Sequence, residues 1–301
     1  MSLVPFNKPP FSYLQQLEQL QERGLQIPNI EKATHLLESI SYYRLSGYWY
    51  PLLADKENYI FKESATFDTA FNLYCFDREL RVLIIQELEK IEVSIRAKMI
   101  YLLSHQKSAF WYQDANLFKN QISHSKTLVS LDNEYKRSDA DFIVSFINKY
   151  SNPLPPSWML LELTSFGTLS SLFSNLKPTR TKRNIANYFG LDENTFASWM
   201  HSIVYTRNVC AHHSRLWNRV MSIQPKKPIK TSKNWLANMA VANNKTYFIL
   251  TMILYLLQTI NPKNSFSQRF QTLLTKYSNV DTRAMGFPSN WKDENLWKKD
   301  N

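Results

Sequence analysis

Apolar residues recur at spacings of three and four along most of the chain, the pattern of amphipathic helices. The clearest case spans about residues 77–103, and its apolar positions are Leu80, Ile84, Leu88, Ile91, Ile95, Met99 and Leu102. The opposite face carries charges, and Glu92 and Arg96 are spaced for an i,i+4 ion pair. We therefore predict a long helix with one buried face, on which Arg81, Glu89, Glu92 and Arg96 are mostly solvated.

Shorter apolar periods, bounded by Gly, Pro or Asn, predict further helices. They cover residues 11–23, 30–40, 158–176 with an interruption at 165–168, 194–210 and 247–259. Gly is scarce, at 5 residues, and alternating β-type patterns are rare, so the predicted fold class is all-α. The apolar run Tyr247–Ile260 is shorter than the roughly 20 residues that cross a bilayer, and we interpret it as a buried core helix.

Pro-rich and aromatic segments suggest how the chain is divided. The predicted parts are an N-terminal helical unit, a large helical domain and a docked C-terminal tail: 1–55, 56–275 and 276–301. Five aromatic residues crowd Tyr42–Pro51, which favours a packing anchor between helical units, with a stacking platform for unpaired bases as the alternative. The tail contains Trp291 and Trp297, which are rare in free tails.

The composition is that of a globular protein without a disulfide framework. With 301 residues, 44% of them hydrophobic, the chain can bury a substantial core. Only Cys75 and Cys210 are present, which gives no disulfide framework. Residues 1–10 contain three prolines and no apolar run typical of a secretory signal. We expect a cytoplasmic protein without a membrane partner.

The net charge of +11 is unevenly distributed. Residues 1–150 hold 17 Lys and Arg against 18 Asp and Glu, whereas residues 151–301 hold 19 against 7. Such a concentrated positive field attracts phosphate backbones, so RNA or DNA is a candidate partner. A basic surface that serves only solubility explains the charge alone equally well.

One stretch of the basic half concentrates titratable and phosphate-binding side chains. Three of the six histidines, His201, His212 and His213, lie within 13 residues, and three arginines lie between residues 207 and 219. On a helix Asn208 and His212 share a face, and Arg207 lies about 100° to one side of Asn208. These side chains are suited to grip a phosphate.

RNA carries its own nucleophile, the 2′-hydroxyl, so its cleavage needs a base, an acid and cations near the phosphate. His and Arg supply all three, and the scheme needs no metal and no cofactor. The sequence lacks Cys pairs, His-Glu-x-x-His, Gly-rich phosphate loops and Gly-x-Ser-x-Gly, which argues against zinc, nucleotide-hydrolase and esterase sites. The alternative is that Asn208, His212 and Trp217 are core or interface residues and that the arginines are solvated.

The arrangement Arg207-Asn208-x-x-x-His212 resembles the HEPN ribonuclease motif. The longer string from Arg207 to Arg219 resembles the signature of the Abi-like (AbiD/AbiF) abortive-infection family. Four other segments resemble that family in the same order along the chain, namely Tyr43–Trp49, Phe76–Arg81, Thr164–Leu169 and Met285–Trp291.

The resemblance implies a HEPN-like helical bundle and a phage-defence toxin that cleaves RNA to a 2′,3′-cyclic phosphate. It also implies a homodimer that brings two motifs together, and restraint by an RNA or protein antitoxin. In this scheme Arg207 binds the scissile phosphate and His212 transfers protons. Asn208 orients either the His212 imidazole or the phosphate. Further RNA contacts are assigned to His213, Arg215, Asn218, Arg219, Lys182 and Arg183.

The sequence also bears on how such a toxin is controlled and on an alternative to catalysis. Some HEPN toxins carry, two residues after the motif His, a Tyr that an antitoxin adenylylates, but Ser214 occupies that position here. That form of control is therefore not expected. A non-catalytic RNA-binding or scaffold protein is the competing hypothesis, and it predicts RNA affinity without cut products.

Overall fold

The computed structural model describes residues 5–7 and 9–298. The described residues form an all-α fold with one small antiparallel pair of strands, β1 (Leu53–Asp55) and β2 (Ile60–Phe61). The twelve α-helices in this part of the chain are α1 (Tyr13–Glu22), α2 (Ile30–Ile40), α3 (Tyr42–Trp49), α4 (Phe67–Gln106), α5 (Gln121–Arg137), α6 (Asp141–Lys149), α7 (Ser157–Leu160), α8 (Phe166–Asn175), α9 (Arg180–Tyr188), α10 (Glu193–Ala211), α11 (Thr246–Ile260) and α12 (Phe266–Lys276). The all-α prediction is confirmed.

The chain divides into two compact units. The first comprises Met1–Leu80 and Thr272–Val280, and the second Arg81–Gln271 and Asp281–Asn301. The first unit therefore extends well beyond residue 55, because the opening turns of α4 pack with the N-terminal helices. Two parts of the chain lie outside the described residues. They are residues 1–4 and 8, within the N-terminal segment that lacks the pattern of a secretory signal, and residues 299–301 of the tail.

In the first unit, local capping and aromatic packing define the helices. Ser12 and Gln15 form a reciprocal capping box at the start of α1, which satisfies backbone N–H groups that the helix itself cannot pair. Tyr48 donates a hydrogen bond to Asp77 Oδ2 at 2.7 Å, and Trp49 packs near Phe67. Tyr48 and Trp49 of the Tyr42–Pro51 segment thus pack on the start of α4, whereas Tyr43 is 88% exposed.

In the second unit, α4 buries the predicted apolar face: Ile84, Leu88, Ile91, Ile95 and Met99 are all at most 1% exposed. The Glu92–Arg96 ion pair is present at 2.6 Å. The prediction of solvated charges is wrong for Arg81 and Arg96, which are 4% and 8% exposed. Arg96 also donates to the Thr164 carbonyl at 2.9 Å, so this carbonyl and the Glu92 carboxylate offset part of the cost of burying its guanidinium.

The centre of the second unit is α11, whose residues from Thr246 to Leu257 are all buried. The interpretation of this run as a core helix is confirmed. No helix in the described part of the chain combines the length and the apolar character that a membrane span requires. Trp297, from the tail, stacks near Tyr247, and Glu294 accepts hydrogen bonds from backbone N–H groups of Ala237 and Asn238.

Candidate functional site

The candidate site lies at the C-terminal end of α10. At its other end, Asp192 caps the helix by accepting hydrogen bonds from the backbone N–H groups of Asn194 and Thr195 at 2.9 and 3.0 Å. One side of α10 is buried through Phe196, Trp199 and Ile203, among others. This packing orients the opposite side of the helix towards solvent.

A Schellman motif terminates α10. The Ser214 N–H donates to the Val209 carbonyl at 2.9 Å, and the His213 N–H donates to the Cys210 carbonyl at 3.0 Å. His212 is the C-cap residue, and its N–H donates to the Asn208 carbonyl at 2.9 Å. His213 adopts φ +55°, the left-handed conformation that Gly usually occupies at this position.

Contacts beyond the Schellman motif fix the chain that follows His212. Leu216 and Trp217 are buried, and Thr246 Oγ1 donates to both of their carbonyls, at 3.0 and 3.2 Å. The buried Arg81 donates to the Ser214 carbonyl at 3.4 Å. The backbone on both sides of His212 is therefore held by packed residues, which limits the positions that its imidazole can adopt.

The three residues assigned to catalysis lie close together on the exposed surface. Arg207, Asn208 and His212 are exposed, and Arg207 Nη1 donates to Asn208 Oδ1 at 3.4 Å. His213 is also exposed, whereas Arg215, Asn218 and Arg219 are half-buried. Three guanidinium groups and two imidazoles thus occur within the 13 residues from Arg207 to Arg219. The reading of Asn208 and His212 as core residues is wrong, although it holds for Trp217.

A comparison with protein-family models identifies the family of the chain. The family model described as Abi-like protein matches residues 35–218, which is more than half of the chain. This chain belongs to the Abi-like protein family. Neither the curated proteins nor the solved structures contain a match. The part matched by the Abi-like model includes α3, α4 and α10, and it ends one residue before Arg219.

One RNA-binding assignment in this Abi-like chain is contradicted by the fold. Lys182 is only 3% exposed, and its ammonium donates to the carbonyls of Ser174 and Leu176 at 3.2 and 2.9 Å. Burial, assisted by the charge of Lys119, lowers the pKa of Lys182 to about 8. This lysine caps the end of α8 and is not available to a surface phosphate. Arg183, the next residue on α9, is exposed.

A residue that the sequence analysis did not select lies beside the Abi-like motif. Tyr205 is half-exposed, and its hydroxyl accepts a hydrogen bond from Arg219 Nε at 3.1 Å and lies 3.5 Å from Ser222 Oγ. Burial by itself would raise the pKa of Tyr205, but the hydrogen bonds and the Arg219 charge outweigh it and lower this pKa. The phenol therefore lies in a locally positive environment.

The segment that follows the motif runs along α10. We call residues 215–226 the flanking segment. The segment is tied to the helix at two places, since Arg219 contacts Tyr205 and the carbonyl of Lys226, its last residue, accepts a hydrogen bond from Trp199 Nε1 at 2.8 Å. Among the described residues, no three His, Cys, Asp or Glu side chains are grouped as metal ligands.

Proposed function

We propose that this Abi-like protein is a metal-independent HEPN-type endoribonuclease that serves as the toxin of an abortive-infection phage-defence system. Membership of the family supports a role in abortive infection. The observation that carries the nuclease proposal is the exposed group of Arg207, Asn208 and His212 at an end of α10 that packed residues hold in place. RNA is the proposed substrate because this half of the chain is basic and RNA supplies its own nucleophile.

The proposed reaction is transesterification. A base removes the 2′-hydroxyl proton, the 2′-oxygen forms a bond to phosphorus, and the bond from phosphorus to the 5′-oxygen breaks. An acid protonates the leaving 5′-oxygen, so the products are a 2′,3′-cyclic phosphate and a 5′-hydroxyl. His212 transfers the proton, and Arg207 stabilises the charge that develops on the phosphate oxygens. Asn208 orients the imidazole or the phosphate.

Base and acid act on opposite sides of the phosphorus, and one imidazole cannot occupy both places at once. A homodimer that brings His212 of two copies to one phosphodiester supplies both groups, together with two Arg207 side chains. The site is accordingly incomplete in one protomer. Because an unrestrained ribonuclease is toxic to its host, we further propose that an RNA or protein antitoxin covers this exposed surface until infection.

Cleavage of RNA in the presence of EDTA tests the proposal. We expect fragments that end in a 2′,3′-cyclic phosphate, and no cut where the nucleotide 5′ to the scissile bond is 2′-deoxy. Arg207→Ala and His212→Ala should each slow cleavage by about 10²- to 10⁴-fold, the range of one charge-stabilising or acid–base group. Arg137→Ala and His105→Ala change exposed residues outside the site and should leave the rate unchanged. Bound but intact RNA would instead favour the non-catalytic RNA-binding or scaffold protein.

A further inference from the structure

Four polar side chains form a continuous row on α10. His201, Tyr205, Asn208 and His212 are separated by four, three and four residues, which places them within an arc of about 60° at 100° per residue. We call them the α10 row. All four are exposed or half-exposed. The row extends about 16 Å along the helix, at 1.5 Å per residue, so it is too long to serve one phosphate.

The flanking segment adds positive charge along the same side of α10. Arg219 donates to the Tyr205 hydroxyl and, through Nη1, to the Arg215 carbonyl at 3.3 Å. Further along, the Lys226 N–H donates to Ser198 Oγ at 2.9 Å, and the Lys226 side chain is exposed. The sequence contains no Asp or Glu between Glu193 and Asp281. This side of α10 is therefore complementary to a polyanion.

We propose that the α10 row binds an unpaired RNA strand, with one base stacked on the ring of Tyr205 and the scissile phosphate at His212. This inference rests on the proposed function and extends it from a single phosphate to a strand-binding site. Tyr205 lies seven residues, or about 10 Å, from His212. At about 3.4 Å per stacked nucleotide, the stacked base is about three nucleotides from the cut.

Tyr205 is well suited to stack a base. It carries the only six-membered aromatic ring in the α10 row, and the row's other rings are the smaller imidazoles of His201 and His212. The bond from Arg219 and the position of the Arg219 guanidinium, 5.8 Å from the ring centroid, fix the ring before RNA arrives. A fixed ring loses little conformational entropy on binding, so most of the favourable free energy of base stacking contributes to the affinity for RNA. Every base has a π-face, and the site therefore selects unpaired strands more than sequences.

RNA binding can be measured separately from cleavage in the His212→Ala background. The probe is a fluorescently labelled oligouridine of about ten nucleotides, followed by anisotropy. Tyr205→Ala should weaken binding by about 5- to 150-fold, the contribution of one stacked base, whereas Tyr205→Phe keeps the ring and should bind within about threefold of the background protein. Tyr150→Ala, at another half-exposed tyrosine, is the matched control. Equal binding by the Ala and Phe variants of Tyr205 would overturn the inference.

Salt dependence distinguishes stacking from charge. Tyr205→Ala should leave the slope of log affinity against log salt unchanged, because it removes no charge. Arg219→Gln should reduce that slope by about 0.7, the value for one phosphate contact to a single strand. Circular dichroism shows whether the Tyr205→Ala variant keeps its helices. If it does not, Tyr205→Leu replaces it, because leucine fills the space of the ring but cannot stack on a base.

The two proposals fail in different ways. Tyr205-dependent binding without cleavage by the wild-type protein would support the strand site and reject the nuclease. Cleavage that depends on His212, with binding and cleavage both insensitive to Tyr205→Ala, would keep the nuclease and reject the strand site. A wild-type protein that binds no oligouridine at any salt concentration would reject the strand site directly.

Discussion

His213 occupies a backbone conformation that favours glycine. At φ +55° the side chain of any L-residue crowds the neighbouring carbonyl, at a cost of about 1–2 kcal/mol. Gly at this position would end the helix with the same hydrogen bonds and without that cost. The presence of an imidazole next to His212 is therefore unfavourable for folding, which is consistent with the RNA contact proposed for it.

Substitution of His213 separates the backbone cost from the role of the side chain. Gly and Ala both remove the imidazole, but only Gly relieves the left-handed conformation. We expect His213→Gly to be more stable than His213→Ala by about 1 kcal/mol in urea unfolding, while both bind RNA more weakly than the wild type. Equal stability of the two variants would show that the conformation carries no strain.

Lys182 makes the stability of the fold depend on pH. Its pKa of about 8 in the folded chain lies below the ordinary lysine value of 10.5. Between these values the unfolded chain binds more protons than the folded one, so the free energy of unfolding rises with pH. Relative to Lys182→Met, the wild type should gain about 2–3 kcal/mol between pH 7.5 and 10. Urea unfolding of both proteins at several pH values measures this difference, and a constant difference contradicts the assignment.

Among the elements, α10 matters most because it positions the row of side chains that we assign to RNA. Burial alone would raise the pKa of Asp192, its N-cap, but hydrogen bonds from Thr195 and Asn194 lower it. The cap is therefore strongest while the carboxylate is charged, and it weakens as pH falls through the folded pKa.

Removal of this cap should destabilise the protein measurably. We expect Asp192→Ala to lower the free energy of unfolding by about 1 kcal/mol at pH 7. Asp192→Asn retains an accepting oxygen and should lose less. On acidification the advantage of the wild type over the Asn variant should shrink, because only the carboxylate titrates and its contribution is lost as pH falls through the folded pKa. An advantage that stays constant as the pH is lowered from 7 to 3 would show that another property of Asp192 stabilises the helix.

The helices that the sequence predicts well are those whose apolar residues identify a buried face. The bounds of α2 and α11 agree with the predictions to within one residue. In contrast, α5 was not predicted, since only His124 and Leu131 are buried in its 17 residues and the period is hard to see. The start of α4 was placed too late, although Phe67, Ala70 and Leu73 continue its buried stripe.

In the candidate site, too, the sequence predicts contacts within one helix but not contacts that depend on tertiary packing. Arg207, Asn208 and His212 were found because helical spacing alone brings them together. The contact between Tyr205 and Arg219 depends on the Schellman motif, which reverses the chain between them, and no periodicity predicts it. Lys182 was misassigned because its partners, the carbonyls at the end of α8, are set by tertiary packing.

Within the second unit, a buried ion pair joins two helices distant in sequence. Glu87 of α4 is fully buried, and it accepts hydrogen bonds from Arg269 of α12 and from Lys90. Removal of one partner leaves a buried charge with less compensation, which is strongly unfavourable.

We expect Arg269→Met to destabilise the protein by about 3 kcal/mol, the lower end of the range for broken buried pairs, because Lys90 remains. Lys136→Met breaks the exposed pair with Asp132 and is the matched control, with an expected loss of at most about 1 kcal/mol. Chemical denaturation of the two variants provides the comparison. Similar losses in both would show that burial adds nothing to the Glu87 pair.

At the scale of the whole molecule, a composite site predicts a particular dependence on concentration. Well below the dissociation constant of the homodimer, the rate of RNA cleavage should rise with the square of the protein concentration, and above it the rate should become linear. Analytical ultracentrifugation over the same range measures the assembly directly. A linear rate at concentrations where the protein sediments as a monomer would exclude the two-copy site.

The described stretch from residue 212 to 245, which includes the flanking segment, contains no α-helix or β-strand. Its exposed residues beyond the flanking segment, such as Ile229 and Lys230, can therefore change with little effect on the packed helices, whereas the buried Leu216 and Trp217 cannot. Hosts and phages evolve against each other, and a defence protein gains when its target can shift without a new fold. Under the proposed function, we expect related Abi-like proteins to diverge fastest at these exposed positions, which changes the RNA preference and leaves the cleavage residues as they are.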